Sequence, residues 1–183
     1  MYKEEEGRIP FQYMETVFLF LTFITNYIVY FLQRGRTSMK KIINAPENYV
    51  DEMLQGIYAS FPDRVKCAAD DLRCYCIANM KPGKVAIITG GGSGHVPLFL
   101  GYVGEGLIDG CGVGGVFQSP SAEQIYNIAK EVEAGAGVLF LYGNYTGDIM
   151  NFDMATEMLE MDDIEAVSLA GADDVLSHAT VAA

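Results

Sequence analysis

The feature that most constrains this chain is the passage of an apolar run, Val85-Ala86-Ile87-Ile88, directly into Thr89-Gly90-Gly91-Gly92-Ser93-Gly94-His95. A short apolar run that ends in glycines cannot continue as a helix, so it reads as a buried strand emptying into a loop. The glycines let backbone N–H groups approach a ligand without interference from Cβ atoms and permit positive φ. His95 adds the titratable group that a bare loop lacks. Together they predict a small-molecule site at the end of a strand.

The balance of charge limits what such a site can bind. The chain has 183 residues, 50% hydrophobic and 20% charged, which suits one globular domain with a sizeable core. Its formal net charge of -12 excludes nucleic acid as a partner, because phosphate backbones require clustered Lys and Arg. After Lys84 the only basic side chain is Lys130. A phosphorylated ligand would therefore have to be met by backbone amides, a helix N-terminus, a metal or another polypeptide, and no nucleotide cofactor is expected on this chain itself. Cys67, Cys74, Cys76 and Cys111 form no C-x-x-C pair, so they read as reduced structural thiols in a cytoplasmic protein, and no metal site is expected.

The first segment differs from the rest. Thr16 to Leu32 is almost entirely apolar, with Asn26 inside it and Arg34 and Arg36 after it. It is short for a membrane span, which needs about 20 apolar residues. Glu4, Glu5 and Glu6 ahead of it do not suit a secretory signal. The reading adopted is that residues 1–38 are an extension outside the fold and that Met39-Lys40-Lys41 opens a soluble domain over 39–183. A membrane anchor and a soluble hydrophobic helix are the alternatives.

From Met39 onward the pattern predicts an amphipathic helix over Asn48 to Ser60, an irregular stretch from Asp63 to Pro82, the Val85 to Ile88 strand, and, through the glycines from Gly101 to Gly115, either tight backbone packing around a pocket or several turns. Ser121 and Gln124 stand at capping-box spacing at the head of a helix that buries Ile125, Ile128, Ala129 and Val132. Val138 to Tyr142 is a second apolar strand, followed by the loop Gly143-Asn144-Tyr145-Thr146-Gly147-Asp148, a helix over Phe152 to Met161 and a third strand over Glu165 to Leu169. Apolar strands alternating with helices predict an α/β fold, a mostly parallel sheet covered by helices on both faces. Ligands in such sheets sit at the carboxyl ends of strands, where both loops fall.

Neither nucleotide motif fits the first loop. A P-loop ends in Gly-Lys-Ser/Thr and this one ends Gly94-His95-Val96, while G-x-G-x-x-G would require glycine at Pro97 or His95. His95 and Asp148, delivered by separate strand ends, are the candidate acid-base pair for work on a hydroxyl, although Asp148 could instead cap the following helix. Tyr142, Asn144 and Tyr145 are candidate wall residues, and His178 has no assigned role.

Lys84-Val85-Ala86-Ile87-Ile88-Thr89-Gly90-Gly91-Gly92-Ser93-Gly94-His95, then Phe117-Gln118-Ser119-Pro120-Ser121, then Asn144 through Phe152, resemble the substrate-binding DhaK subunit of dihydroxyacetone kinases, from Met39 to about Val175. The resemblance implies a subunit that binds a short ketose, dihydroxyacetone or erythrulose. A nucleotide-binding kinase subunit or domain would carry the phosphoryl donor, ATP with Mg or a phosphoprotein. By position, Gly92, Ser93, Gly94 and His95 would hold the ketose, and His95 and Asp148 would assist deprotonation of its attacking hydroxyl. The family form has Glu where this chain has Val96 and Lys where it has Gly143, which points to a longer ketose such as erythrulose. The family's second half, with a histidine that bonds covalently to the substrate carbonyl, does not appear before Ala183. The resemblance also implies a homodimer at full length. The competing expectation is a non-catalytic ketose sensor acting as a co-regulator.

Overall fold

The structure, a computed structural model, describes residues 44–172. The readings made of residues 1–38, of the Met39 start and of His178 lie outside these. A turn at Pro46–Asn48 leads into helix α1 (Tyr49–Ser60), which buries Val50 and Leu54, four residues apart on one face. The segment expected to be irregular is instead a hairpin of β1 (Val65–Ala68) and β2 (Asp71–Ile77). Its turn residues, Ala69 and Asp70, have φ of 51° and 56°, the pair of positive angles that a type I′ turn requires.

The remaining elements are β3 (Ala86–Gly91), β4 (Gly110–Val113), α2 (Ala122–Val132), β5 (Val138–Gly143), α3 (Thr146–Glu160) and β6 (Ala166–Gly171). The six strands form one sheet in the order β1-β2-β4-β3-β5-β6. β4, β3, β5 and β6 run parallel, and the hairpin joins β4 antiparallel, which confirms the mostly parallel α/β architecture.

Strand β4 lies among the glycines for which the sequence offers tight backbone packing or turns, and the packing is the reading that holds. Its alternation explains its composition. Cys111 and Val113 point to the face where α1 packs with Tyr75 and Leu100, and Gly110 and Gly112 point to the face occupied by α2. A Cβ on Gly110 would collide with Cγ2 of Ile128, and one on Gly112 would lie 2.8 Å from Cβ of Pro120. The absent side chains therefore let α2 settle against the strand, with Ile125, Ile128 and Ala129 fully buried. Helix α2 starts as expected, with the Ser121 hydroxyl accepting from Gln124 N at 3.2 Å and the Gln124 side chain accepting from Ser121 N at 3.0 Å.

Phe140, Phe152, Ala155 and Leu159 complete the core under α2 and α3. On the opposite face α1 covers only the β2–β4 side. Ile87, Leu139, Leu141, Val167 and Leu169 stand in register across β3, β5 and β6, and Val167 and Leu169 remain more than half exposed.

Two substitutions should move stability in opposite directions. Ala69→Gly relieves a left-handed alanine and should raise the urea-unfolding free energy by about 0.5–1 kcal/mol. Gly110→Ala forces a methyl group into α2 and should lower it by about 1–3 kcal/mol. Equilibrium unfolding followed by circular dichroism measures both, and an unchanged midpoint for Gly110→Ala would refute the packing account.

Candidate functional site

The carboxyl ends of β3 and β5 lie side by side, so the glycine loop and the Asn144–Asp148 loop open at the same edge of the sheet. Beyond Gly91 the chain turns through a short 3-10 segment, Ser93–His95. Ser93 N donates to Gly115 O at 2.9 Å, Gly94 N to Val116 O at 2.8 Å, and Gly114 N to Gly91 O at 2.9 Å. The loop is thus latched to the segment that follows β4.

This latch revises the expected role of the glycines. Gly90, Gly91, Gly92 and Gly94 all lack positive φ. They are small because neighbours press on them: a Cβ on Gly91 would enter the Phe99 ring, and one on Gly94 would lie 2.5 Å from Val116 O. The N–H groups of Ser93 and Gly94 already serve the latch, so what this loop presents to a ligand is chiefly side chain. His95 is exposed, and its ring meets that of Phe99 edge-on, 5.9 Å between centroids at 87°. Phe99 itself has φ of 66°, an unusual conformation for an aromatic residue, held with its ring against Gly91.

From the second loop, helix α3 begins at Thr146, earlier than the pattern suggested. Asp148 is therefore inside the first helical turn and does not cap it; Tyr145 occupies the capping position. Asp148 is 5% exposed, and its Oδ1 has no hydrogen-bond partner. Burial pushes its carboxyl above the ordinary range, opposed by a hydrogen bond from the Ser119 side chain and by the positive charge of His95. Ser93 Oγ, 3% exposed as a residue, is a second buried polar atom without a partner.

Ser119 stands in the sequence only within the Phe117-Gln118-Ser119-Pro120-Ser121 motif, with no role of its own. The structure places it against the second loop, where a Cβ on Gly147 would lie 2.8 Å from its Oγ, and Asn151 Nδ2 donates to Pro120 O at 2.8 Å. Of the suggested wall residues, Tyr142 is core, stacked on Phe152 at 4.1 Å and 3°, whereas Asn144 is buried at the strand end and Tyr145 is exposed. Val96 packs against the α1-side apolar cluster, and Gly143 lies beside the Tyr145 ring. Among the described residues no cluster of His, Cys, Asp and Glu could hold a metal ion, and no helix is long and apolar enough to cross a membrane.

A parallel sheet with an imidazole and a buried carboxyl following two adjacent strands has the architecture of an α/β ligand-binding domain. Comparison with known proteins makes the class specific. The Dak1 domain matches residues 55–182, and the chain belongs to that family. It is 43% identical over 138 residues to the dihydroxyacetone-binding subunit DhaK of the PTS-dependent dihydroxyacetone kinase of Lactococcus lactis, covering 75% of this chain and 41% of that protein. It is 43% identical over 140 residues to a D-erythrulose kinase of Mycolicibacterium smegmatis, covering 76% of this chain and 24% of that one. The crystal structure of the dihydroxyacetone kinase from C. freundii in complex with AMP-PNP and Mg2+ superposes with a TM-score of 0.69 at 28% identity, covering 75% of this chain and 26% of that chain. The chain thus spans less than half the length of these relatives.

The raised carboxyl of Asp148 has a pH signature. A buried acid that resists ionisation contributes most to stability when protonated, below its unfolded range, and that contribution is lost as pH rises through the folded value. Asp148→Asn removes the ionisation. Its stability relative to the parent should therefore improve between pH 4 and pH 7, read from urea midpoints at each pH. A difference that moves the other way would mean that the attraction of His95 and Ser119 outweighs burial.

Proposed function

We propose that this chain is the ketose-binding part of a cytoplasmic dihydroxyacetone kinase-like enzyme, presenting a ketose hydroxyl to a phosphoryl donor carried by a separate nucleotide-binding subunit or domain. The observation that carries the reading is the pair of buried, unpartnered atoms, Ser93 Oγ and Asp148 Oδ1, one following β3 and the other following β5 at the same edge of the sheet. A buried polar atom without a partner costs about 1–3 kcal/mol. A polyhydroxy ligand supplies both donors and acceptors, so binding it relieves that cost.

The chemistry follows from the same groups. The ketose hydroxyl oxygen attacks the terminal phosphorus of the donor, the new O–P bond forms as the donor's P–O bond breaks, and the hydroxyl proton passes to the His95–Asp148 pair. A carboxyl whose affinity for protons is raised by burial is a better acceptor near neutral pH than an exposed aspartate. Phosphoryl transfer depends mainly on positioning and on neutralising charge. With only Lys130 basic after Lys84, this chain is suited to the first task, and the donor's charge is left to the partner.

The ketose is proposed to be longer than dihydroxyacetone. Gly143 places no side chain at the edge of the second loop, where the resemblance leads one to expect lysine, and a Cβ there would lie 3.2 Å from Cδ2 of Tyr145. The extra carbon of an erythrulose is assigned to the room that a lysine at this position would take, with Tyr145, an exposed side chain, turning aside.

Isothermal titration of the chain with dihydroxyacetone and with both enantiomers of erythrulose, paired with a transfer assay containing a nucleotide-binding partner, ATP and Mg, tests the reading. His95→Asn and Asp148→Asn should each lower transfer by about 10²-fold or more, and Gly143→Lys should shift preference toward dihydroxyacetone. Ketose binding with no transfer in the presence of the partner and a complete second half would favour the co-regulator instead. No binding of any short ketose by folded protein would overturn both.

A further inference from the structure

A cavity whose lining does not include His95 or Asp148 lies on the α1 side of the sheet and reaches Lys84 ahead of β3 and Asp109 ahead of β4. Its volume is about 1020 Å³, and its walls come from α1, the hairpin, the turn before β3 and the segment between Leu100 and Asp109. That volume lies at the upper end of the range for small-molecule sites.

The polar groups of this cavity sort by what they already bind. Lys84 Nζ contacts both carboxylate oxygens of Asp109, at 2.6 and 2.7 Å, and Ile87 N donates to Asp109 Oδ2 at 2.8 Å, so that carboxylate is saturated. Glu105 is paired with Lys81 at 2.7 Å. What remains is mostly donors. The Arg64 guanidinium has no carboxylate partner among the described residues and lies 6.0 Å from the Phe61 ring centroid. Tyr75 is 4% exposed, and its hydroxyl has no hydrogen-bond partner among the described residues. Only Asp63 opposes them as an uncommitted acid.

The distribution of basic residues points the same way. Among residues 44–172 of this acidic chain the basic side chains are Arg64, Lys66, Arg73, Lys81, Lys84 and Lys130, and three of the six line this one cavity. Ile57, Val65, Leu100 and Val103 supply an apolar wall. A guanidinium and a phenol beside apolar side chains suit a ligand with one carboxylate on an apolar body, because the guanidinium fork matches a carboxylate in two hydrogen bonds while the body displaces water from the wall. We propose that this cavity is a second binding site, distinct from the ketose site, for a small amphipathic carboxylate held by Arg64 and Tyr75.

The probe is 1-naphthaleneacetate, with uncharged 1-naphthaleneacetamide as its control, titrated calorimetrically into the full 183-residue chain. The acetate should bind saturably at one site per chain, and the amide about tenfold more weakly. Arg64→Gln should weaken the acetate about tenfold, and Val103→Trp, which fills the wall, should remove binding while circular dichroism stays native. Leu169→Lys, on the exposed sheet face, should leave binding unchanged. Should Arg64→Gln fail to fold, Val103→Trp and the amide control still decide. Absence of saturable binding, retention of affinity in Val103→Trp, equal affinity for acetate and amide, or loss of binding in Leu169→Lys would each overturn the proposal, and none of these results bears on ketose binding.

Discussion

The close approach of α2 to a strand without side chains on one face is the contact on which the site depends. Gly110 and Gly112 let Ile128, Ile125 and Pro120 sit directly on the backbone of β4. Pro120 belongs to the segment that begins α2, so the depth of the helix fixes the position of Ser119 beside Asp148. Immediately after β4, Gly115 and Val116 offer the carbonyls that hold the glycine loop. One packing contact thus places the loop that carries His95 and the hydroxyl that serves Asp148.

Elements whose burial pattern has a single period were legible in the sequence. The runs Ala86–Gly91 and Val138–Gly143 are apolar because both faces of central parallel strands are shielded, and α2 shows a clear 3.6-residue period with its cap. Strand β4 was not legible, because half its residues are glycines selected by a neighbouring helix, and composition alone cannot distinguish that from a string of turns. The hairpin was missed for a related reason. Its turn is Ala69-Asp70 without glycine or asparagine, and β2 carries Asp71 and Arg73 that are satisfied by Gln124 and by Asp51, contacts from distant parts of the chain.

The site divides along the same line. His95 and Asp148 stand out in sequence because titratable residues at strand ends are few, and both fall where parallel sheets collect ligands. The state of Asp148 was not legible, since its burial depends on α3 starting at Thr146 and on Ser119 approaching from a loop almost thirty residues earlier. The glycine loop was legible as a location but not as a mechanism. Its residues are small to admit Phe99 and the Val116 carbonyl, and the amides that a bare loop would offer to a ligand are partly occupied within the fold.

This occupancy bears on which ligands the site can hold. An anion-binding loop keeps its N–H groups free, because a phosphate has only acceptors to offer. Here the N–H groups of Ser93 and Gly94 are bonded, and the buried unpartnered atoms are a hydroxyl and a carboxylate oxygen, which can accept a hydrogen bond from a ligand and, in the case of Ser93, donate one. Such a pair is matched by neutral groups that both donate and accept, and it repels a phosphate. On the proposed reading the site would therefore be complementary to an unphosphorylated sugar, and the same carboxylate that would receive a proton from it would disfavour retention of a charged product. An acidic site poor in cations would, on that reading, serve release as well as capture, with the group that neutralises the incoming phosphoryl charge arriving and departing with another polypeptide.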